Sequence, residues 1–422
     1  MMRVFKFGGA LMNDAKGIRK VGEIIEEYSC EPLVVVVSAF GKTTNKIEGL
    51  LKLIADGESS DIVENAFFKL MQYHISIIHD LFNDNNHDLI TEIKNLFNEF
   101  WETLNKDYPN RYIAYDQVVG FGEQFSALIV SAWTKSQGIK GDYIDATKII
   151  VTDNNFTDAA VNWKLTKKTI NARILPVVES NNIVVVQGFA AASESGDTTT
   201  LGREGSDFTA AIFANILNAD ELTIWKDVPG LMSADPKKFK DTVKLNSISY
   251  QEAIELAFYG ASVIHPKTIQ PLREKNIPLY VRSFFNPDSE PTLISSDKST
   301  DETVPKIIVK EDQVLLSITS KNLDFISEEK LTYIFKVLSN NKIHLNIMQN
   351  SAVSFSVCFN KDNNKLNKLV ADLSDQFYVR YNIGLQLLTL RHYNDGLIKE
   401  YVGGRKVYLE QKSRATVQLL IM

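Results

Sequence analysis

Cysteine is scarce in this sequence, which has only Cys30 and Cys358 among 422 residues. Cys30 follows a predicted helix and Cys358 lies in a predicted strand far along the chain, so we expect reduced, buried thiols and no disulfide. The six histidines are scattered and form no metal-ligand cluster. The sequence therefore predicts no metal site built from protein side chains alone.

Long hydrophobic runs and an excess of one charge are also missing. No run approaches the roughly 18 apolar residues of a membrane span, and the N-terminus MMRVFKFGG has no apolar signal region. Against 46 basic residues stand 52 acidic ones, for a net charge of −6. We therefore expect a cytoplasmic protein with neither membrane nor nucleic acid as a partner.

A Walker A loop is absent, because GxxxxGK(S/T) does not occur. Residues 186–207 instead place a strand and a Gly/Ser/Thr loop with Arg203 before an apolar helix predicted from Asp207. The positive end of such a helix favours an anion, and Arg203 offers a planar fork that fits a carboxylate or a phosphate. The alternative is that Ser206 and Asp207 only cap and charge the helix start.

Two more loops follow predicted parallel strands. The first strand, RVFKF, contains Lys6 and runs into Gly8 and Gly9, where the backbone can approach a phosphate. Such a glycine pair otherwise marks an ordinary turn. The second strand, LVVVV, is apolar enough to be central in the sheet and ends at Ser38. In open α/β sheets, ligands bind at these carboxyl ends of the strands.

Six motifs follow one another in order along the chain. They are KFGG at 6–9, VVVSAFGKTTN at 35–45, VGFGEQFSA at 119–127, TTTLGREGSD at 198–207, KDVPGLMSADP at 226–236 and YGASVIHPKT at 259–268. Together they resemble the aspartate kinases of the amino-acid kinase superfamily, and the resemblance covers essentially the whole chain. It implies an α/β amino-acid kinase fold, a largely parallel sheet sandwiched by helices, followed by ferredoxin-like ACT domains of which the second is reduced.

The sequence predicts two domains joined by a polar linker. Residues 1–298 alternate short strands with helices, as in βαβ units, and are predicted to be the amino-acid kinase catalytic domain. Within them, helical spacing over 61–104 predicts an inserted helical hairpin. Its aromatic stripe is expected to be core and not a cofactor site.

The remainder, residues 299–422, is predicted to be an ACT-type regulatory and dimerisation region. A β-α-β-β pattern indicates a first ACT module at about 312–375. The second, at about 376–422, has strands but only a short helix near 395–401, so we expect a reduced unit. The resemblance implies a homodimer formed through this region, with an amino acid as a candidate effector.

The resemblance implies transfer of the ATP γ-phosphoryl group to the side-chain carboxylate of L-aspartate. The product would be 4-phospho-L-aspartate, at the start of lysine, threonine and methionine biosynthesis. Lys6 matches the lysine that spans the transferring phosphoryl oxygens, and Asp207 the acid that orients it, while Gly8, Gly9 and Ser38 offer hydrogen bonds. Further nucleotide contacts are expected from one loop, which otherwise has the pattern of an ordinary turn. Its residues are Lys226, Asp227, Asp235 and Lys237.

Aspartate needs partners for two carboxylates and one ammonium group. Arg203 matches a residue that clamps a substrate carboxylate, Glu123 an acid near the ammonium, and Thr44 and Ser206 hydroxyls that complete the pocket. Without the resemblance, the sequence favours a solvated charge at a helix start as the role of Glu123. Mg²⁺ is expected to bind mainly through the ATP phosphates and leaves no motif.

The chain departs from the family pattern at several positions. Ala10-Leu11-Met12 stands where Thr-Ser-Val is usual, Glu204 replaces a common glycine, and Ser262 replaces a frequent nucleotide-binding lysine, for which Lys226 is a candidate substitute. In lysine-inhibited relatives an acidic residue at the end of the second strand of the first ACT module meets the effector ammonium. Asn346 stands at the matching position, so we expect weak or absent lysine inhibition, unless Asn346 merely caps a strand end.

Two other functions stay open. Another carboxylate or amino-acid kinase of the superfamily would share the glycine loops but is not expected to carry an ACT-like tail. A catalytically impaired amino-acid-binding regulator is conceivable because hydroxyls are lost at residues 10–12. No dinucleotide loop is present, so a fused homoserine dehydrogenase is not expected.

Overall fold

The computed structural model describes residues 1–82, 88–180, 182–261, 264–322 and 324–422. The chain forms two compact units, each assembled from separate stretches of sequence. The first comprises Met1–Leu231, Lys244–Ile254 and Val263–Lys298. The second comprises Met232–Val243, Glu255–Ser262 and Ser299–Met422.

The helices and strands alternate along most of the chain. The α-helices are α1 Ala15–Glu27, α2 Thr43–Ala55, α3 Ser60–Phe82, α4 Asp88–Leu104, α5 Arg111–Val119, α6 Phe121–Ser136, α7 Trp163–Arg173, α8 Leu175–Glu179, α9 Gly205–Leu217, α10 Tyr250–Tyr259, α11 Pro266–Glu274, α12 Glu328–Asn340, α13 Asn363–Ser374 and α14 Asp395–Val402. The strands are β1 Arg3–Phe7, β2 Leu33–Val37, β3 Gly141–Ile144, β4 Val151–Thr152, β5 Ile183–Gln187, β6 Ala190–Ser193, β7 Thr198–Thr200, β8 Glu221–Lys226, β9 Leu231–Met232, β10 Lys244–Leu245, β11 Ser247–Ser249, β12 Leu279–Ser283, β13 Thr292–Ser295, β14 Lys306–Ser320, β15 Leu345–Asn350, β16 Ser354–Asn360, β17 Phe377–Arg391, β18 Val407–Lys412 and β19 Thr416–Ile421.

The first unit is built on an eight-stranded sheet in the order β11-β13-β12-β8-β1-β2-β5-β3. The strands pair in parallel except at β12–β13, which is antiparallel. Every residue of β2 and β5 is buried, as the valine-rich sequences predict for central parallel strands. In register, Phe7 lies beside Val37 and Trp225, so the loops that follow β8, β1 and β2 leave the same edge of the sheet.

The predicted helical hairpin is present as α3 and α4, although its turn falls at 83–87, outside the described residues. The aromatic stripe belongs to the core, as predicted. Phe97 and Phe125 stack with ring centroids 3.9 Å apart, and Phe67 packs against Phe100. These side chains are buried within the apolar cluster of the first unit. Burial of large aromatic rings anchors the hairpin to α6.

The second unit contains a six-stranded antiparallel sheet in the order β15-β16-β14-β17-β19-β18. The predicted β-α-β-β succession is confirmed as β14, α12, β15 and β16, and α13 and β17 complete a ferredoxin-like module. Buried side chains of α12 and α13 pack against this part of the sheet. The following α14 is only eight residues long and has no fully buried residue, which agrees with a reduced second module.

One expectation about the cysteines is wrong. Both thiols are free, and Cys358 is buried as predicted, but Cys30 is exposed because it lies in the turn after α1. Across the described part of the chain, every helix is too short or too polar to cross a membrane.

Candidate functional site

A cavity of about 540 Å³ opens in the first unit at the carboxyl ends of its parallel strands. Most of the residues predicted from the sequence line it together. These are Lys6, Gly9, Ser38, Thr44, Glu123, Arg203, Ser206, Asp207 and Lys226. They come from five separate stretches of chain, which the sheet topology brings to one place.

Lys6 and Asp207 form the central ion pair of this cavity. The Lys6 ammonium on β1 lies 2.6 Å from Asp207 Oδ1 in the first turn of α9, and both side chains are largely shielded from solvent. Burial alone raises the pKa of Asp207, but the charges of Lys6 and Lys226 outweigh burial and lower it below its usual value. Asp207 is therefore ionised at neutral pH and holds the lysine in place.

The loop after β1 approaches the loop after β2 very closely. A Cβ atom on Gly9 would lie 1.8 Å from the carbonyl oxygen of Ala39, so only glycine fits at this point. The Gly41 N–H donates to the Gly9 carbonyl oxygen at 2.9 Å and ties the two loops together. Gly8, predicted to contact phosphate, does not line the cavity.

Glu123 is buried in the first turn of α6. The interpretation of Glu123 as a solvent-exposed charge at the start of a helix is therefore wrong. Burial raises the pKa of Glu123 to about 8, although backbone N–H groups and the Lys6 charge act in the opposite direction. Among the described residues, no group hydrogen-bonds to its Oε2 atom. A buried carboxyl with an unpartnered oxygen on a polar cavity suits a cationic ligand group.

The helix start at 203–207 differs from a simple cap. Helix α9 begins at Gly205, and Ser206 and Asp207 lie inside its first turn, so the interpretation of these two as caps is wrong. The cap residue is Glu204, which has φ +54° in the left-handed region that favours glycine. Its Oε2 accepts a hydrogen bond from the His265 N–H at 2.8 Å. This contact explains how a glutamate occupies a position where glycine is common.

Arg203 itself is exposed at the cavity wall and forms no ion pair with the described residues. Its guanidinium fork can therefore receive an anion without first breaking an internal salt bridge. Two of the remaining departures from the family pattern, Leu11 and Met12, lie away from the cavity. Only Ala10 lines the cavity, whereas Leu11 and Met12 are buried in the core, and Ser262 lies outside the described residues.

Three predicted nucleotide contacts do not line the cavity. Asp227 is exposed just beyond β8, and Asp235 and Lys237 lie in the stretch of chain assigned to the second unit. There Asp235 Oδ1 accepts the Lys237 N–H at 2.9 Å, a contact typical of a turn.

The described residues contain no group of three or more acidic, histidine or cysteine side chains that could hold a metal ion. Within the cavity, Asp207 is paired with Lys6, and Glu204 accepts from a backbone N–H group. This donor set fits a cation that arrives on a nucleotide and is held by phosphate oxygens and water.

Sequence reasoning missed several residues of the cavity wall. They are Tyr115, Thr157, Phe189 and Gly202. Tyr115 lies on α5 and donates its hydroxyl to Glu48 Oε1 at 3.0 Å. Tyr115 and Thr157 lie outside the six motifs. Gly202 lies in TTTLGREGSD and Phe189 in the stretch 186–207, but neither carries a charge that would single it out.

Comparison with known proteins gives consistent matches. A family model described as the amino acid kinase family matches residues 1–283. The aspartokinase of Chlamydia trachomatis is 32% identical over 315 residues, which is 74% of this chain and 69% of that protein. The bifunctional aspartokinase/homoserine dehydrogenase 2 of Zea mays is 28% identical over 390 residues, 89% of this chain but 42% of that protein. The chain thus spans less than half the length of this relative.

Solved structures match over both units. Aspartokinase III of E. coli, in complex with aspartate and ADP, is 24% identical with a TM-score of 0.83 and covers 100% of this chain and 96% of that one. The same enzyme in complex with lysine and aspartate has a TM-score of 0.81 at 24% identity, covering 99% of this chain and 95% of that one. The predicted fold class is confirmed.

The burial of Glu123 predicts a pH-dependent stability. Because its folded pKa of about 8 lies above the usual value, its contribution to stability is full at acid pH and is lost as pH rises through 8. Glu123→Gln should therefore gain about 1.4 kcal/mol of unfolding free energy over wild type per pH unit between about 5 and 8. Urea unfolding at pH 5.5, 7.0 and 8.5 measures this, with exposed Glu99→Gln as the control. A gain that does not change with pH would contradict the assignment.

Proposed function

The chain belongs to the amino acid kinase family, and from this premise we propose that it is an aspartate kinase. In this proposal it transfers the γ-phosphoryl group of ATP to the side-chain carboxylate of L-aspartate. The observation that carries it is one cavity lined by a lysine–aspartate pair, a buried glutamate and an exposed arginine. Among the described residues, the glutamate lacks a partner for one oxygen and the arginine forms no ion pair. The matches to aspartokinases, one of them solved with aspartate and ADP, confirm the resemblance predicted from the sequence.

The phosphate side of the reaction needs positioned positive charge. Lys6, oriented by Asp207, would neutralise the charge that develops on the transferring phosphoryl oxygens, and the N-terminal end of α9 would add its dipole. Ser38 and the backbone at Gly9 would donate hydrogen bonds from the facing loops. When bound, Mg²⁺ supplies further charge neutralisation on the ATP phosphates.

The acceptor side needs partners for the ends of aspartate. Glu123 would receive the ammonium group and lose its proton as aspartate binds, since the incoming positive charge favours the ionised carboxylate. Arg203 would hold the α-carboxylate, with Thr44 and Ser206 completing the pocket. The side-chain carboxylate then attacks Pγ and the bond to the ADP oxygen breaks. No general base is required, because the nucleophile is already ionised at pH 7.

We further propose that residues 1–298 are the catalytic domain and that 299–422 form an ACT-type region through which a cytoplasmic homodimer assembles. The ferredoxin-like succession of β14 to β17 supports the module assignment. Exposed apolar side chains of β17, including Tyr381 and Ile383, support a covered surface in the assembly.

An acceptor assay tests the proposed reaction. With ATP and Mg²⁺, the protein should release ADP when L-aspartate is present but not with L-glutamate or without an acceptor, and hydroxylamine should trap the acyl phosphate. Lys6→Ala should lower kcat by about two to three orders of magnitude with a smaller effect on ATP affinity, because the cation acts mainly in the transition state. The exposed Lys16→Ala is the control. Release with glutamate alone would indicate another kinase, and no release with any acceptor would indicate a regulator.

A conservative change at Arg203 separates acceptor binding from nucleotide binding. Arg203→Lys should raise the KM for aspartate by about tenfold or more and leave the KM for ATP nearly unchanged, because a point charge cannot reproduce a bidentate fork. Steady-state kinetics with each substrate varied in turn measures both constants. If the KM for ATP rises instead, Arg203 binds phosphate and not aspartate.

The second unit supports weak or absent inhibition by lysine. Asn346 lies near the start of β15, not at its end, and its Oδ1 already accepts the Lys310 ammonium at 2.8 Å. Its Nδ2 donates to Gln313 Oε1 at 2.7 Å and to Asn360 Oδ1 at 3.0 Å. The amide is thus occupied by the protein's own groups and offers no countercharge to a free ammonium.

We therefore expect no inhibition by millimolar lysine in the wild type. Asn346→Asp should stay insensitive, because the new carboxylate would pair with Lys310. Only the combined Asn346→Asp/Lys310→Ala variant should gain lysine sensitivity, since it offers an unpaired carboxylate. Titration of lysine against ADP release measures this for each variant, with threonine as the matched control. Strong inhibition of the wild type at micromolar lysine would contradict the prediction.

A further inference from the structure

Asp116 is a buried acid on α5 that the proposed chemistry does not use. Its Oδ2 accepts the N–H groups of Thr157 and Thr200 at 2.8 and 2.9 Å, and its Oδ1 accepts the Thr200 hydroxyl at 2.8 Å. The side chain is fully buried. One carboxylate therefore joins three stretches of chain that are distant in sequence.

Both segments that Asp116 holds belong to the cavity wall or lead into it. Thr157 lines the cavity and has φ +70°, a left-handed conformation that is unfavourable for a β-branched residue. Such a conformation persists only where surrounding contacts fix it, and the hydrogen bond from its N–H to Asp116 is one of them. Residue 157 is thus held in a strained conformation at the wall of the site.

The second segment leads to Arg203. Thr200 is the last residue of β7, three positions before Arg203, and its carbonyl oxygen accepts the Ala159 N–H at 2.9 Å. Gly202, between them, has φ +78° and packs so tightly that a Cβ there would lie 2.6 Å from Asp158 Oδ1. The 157–159 loop and the 200–203 turn are therefore one unit, with Asp116 as the acceptor that joins them.

We propose that Asp116 is a positioning residue for the acceptor substrate, fixing Thr157 and the direction of Arg203 without touching either substrate. The inference rests on the proposed aspartate kinase function and adds a determinant of aspartate binding. Among the described residues, neither Lys6 nor Gly9 on the phosphate side hydrogen-bonds to Asp116, so we expect the effect in the acceptor half of the cavity. If Asp116 only stabilised the fold, its replacement would change the KM values for aspartate and ATP by the same factor.

The test compares two acids that each accept three hydrogen bonds. Asp116→Ala should raise the KM for aspartate about tenfold or more, with a smaller fall in kcat and an unchanged KM for ATP. Asp145→Ala is the matched control, because Asp145 accepts from the Thr147 N–H and hydroxyl and from Gln187 but does not line the cavity. It should lower stability and leave both KM values unchanged.

Two further variants test the geometry itself. Asp116→Asn should restore most of the aspartate affinity, because its amide oxygen can accept both N–H groups while its amide nitrogen donates to the Thr200 hydroxyl. Thr157→Gly added to Asp116→Ala should recover part of the lost affinity, since glycine adopts φ +70° without strain. If Asp116→Ala does not fold, Thr200→Val, which removes only the hydroxyl contact, should still raise the KM for aspartate about threefold.

The outcomes separate this inference from the proposed function. A wild-type protein without aspartate-dependent ADP release overturns the proposed function and this inference with it. An active wild type whose Asp116→Ala and Thr200→Val variants keep the wild-type KM for aspartate overturns the inference alone. Equal increases in the KM values for aspartate and ATP would overturn it as well, because a general structural role predicts that result.

Discussion

The ion pair between Lys6 and Asp207 is the constraint on which the rest of the first unit depends. Burial of two charges is costly unless both are paired with good geometry, so β1 and the first turn of α9 must lie close enough for the 2.6 Å contact between Lys6 and Asp207. Almost every residue of α9 is buried, which leaves this helix little freedom to shift. The close approach at Gly9 then fixes the neighbouring loop against the same strand edge.

Glu123 differs from the paired charges of Lys6 and Asp207, because its burial lowers the stability of the protein and favours the binding of a cation. Its carboxyl is buried, and in the part of the chain that the structure describes no group hydrogen-bonds to one of its oxygens. This arrangement destabilises the protein at neutral and alkaline pH, where the carboxylate form is favoured in water. A ligand ammonium would satisfy that oxygen and offset the desolvation of the carboxylate. A cationic ligand group would therefore gain an interaction with the carboxylate that the protein without ligand does not make.

The sequence predicted the charged residues of the cavity, including Asp207 as the partner of Lys6, but not the buried contacts that hold the acceptor side of the wall. Lys6, Glu123 and Arg203 stand in motifs whose local pattern already indicates a loop or helix start beside a strand. Asp116 and Thr157 carry no such pattern, because their contacts join positions far apart in the chain. The conformation of Glu204 was equally inaccessible, since a non-glycine residue with positive φ depends on a tertiary partner.

In the second unit, the polar side chains around Lys310 hydrogen-bond to one another. Burial lowers the pKa of Lys310, yet its ammonium donates to an amide and not to a carboxylate. The side-chain amides of Asn346, Gln313 and Asn360 hydrogen-bond to one another beside that ammonium. The Cys358 thiol donates to Gln313 Oε1 at 3.6 Å. A ligand can shift an equilibrium between two states only through contacts that differ between them. A polar cluster whose groups already hydrogen-bond to one another offers few such contacts to a further ligand.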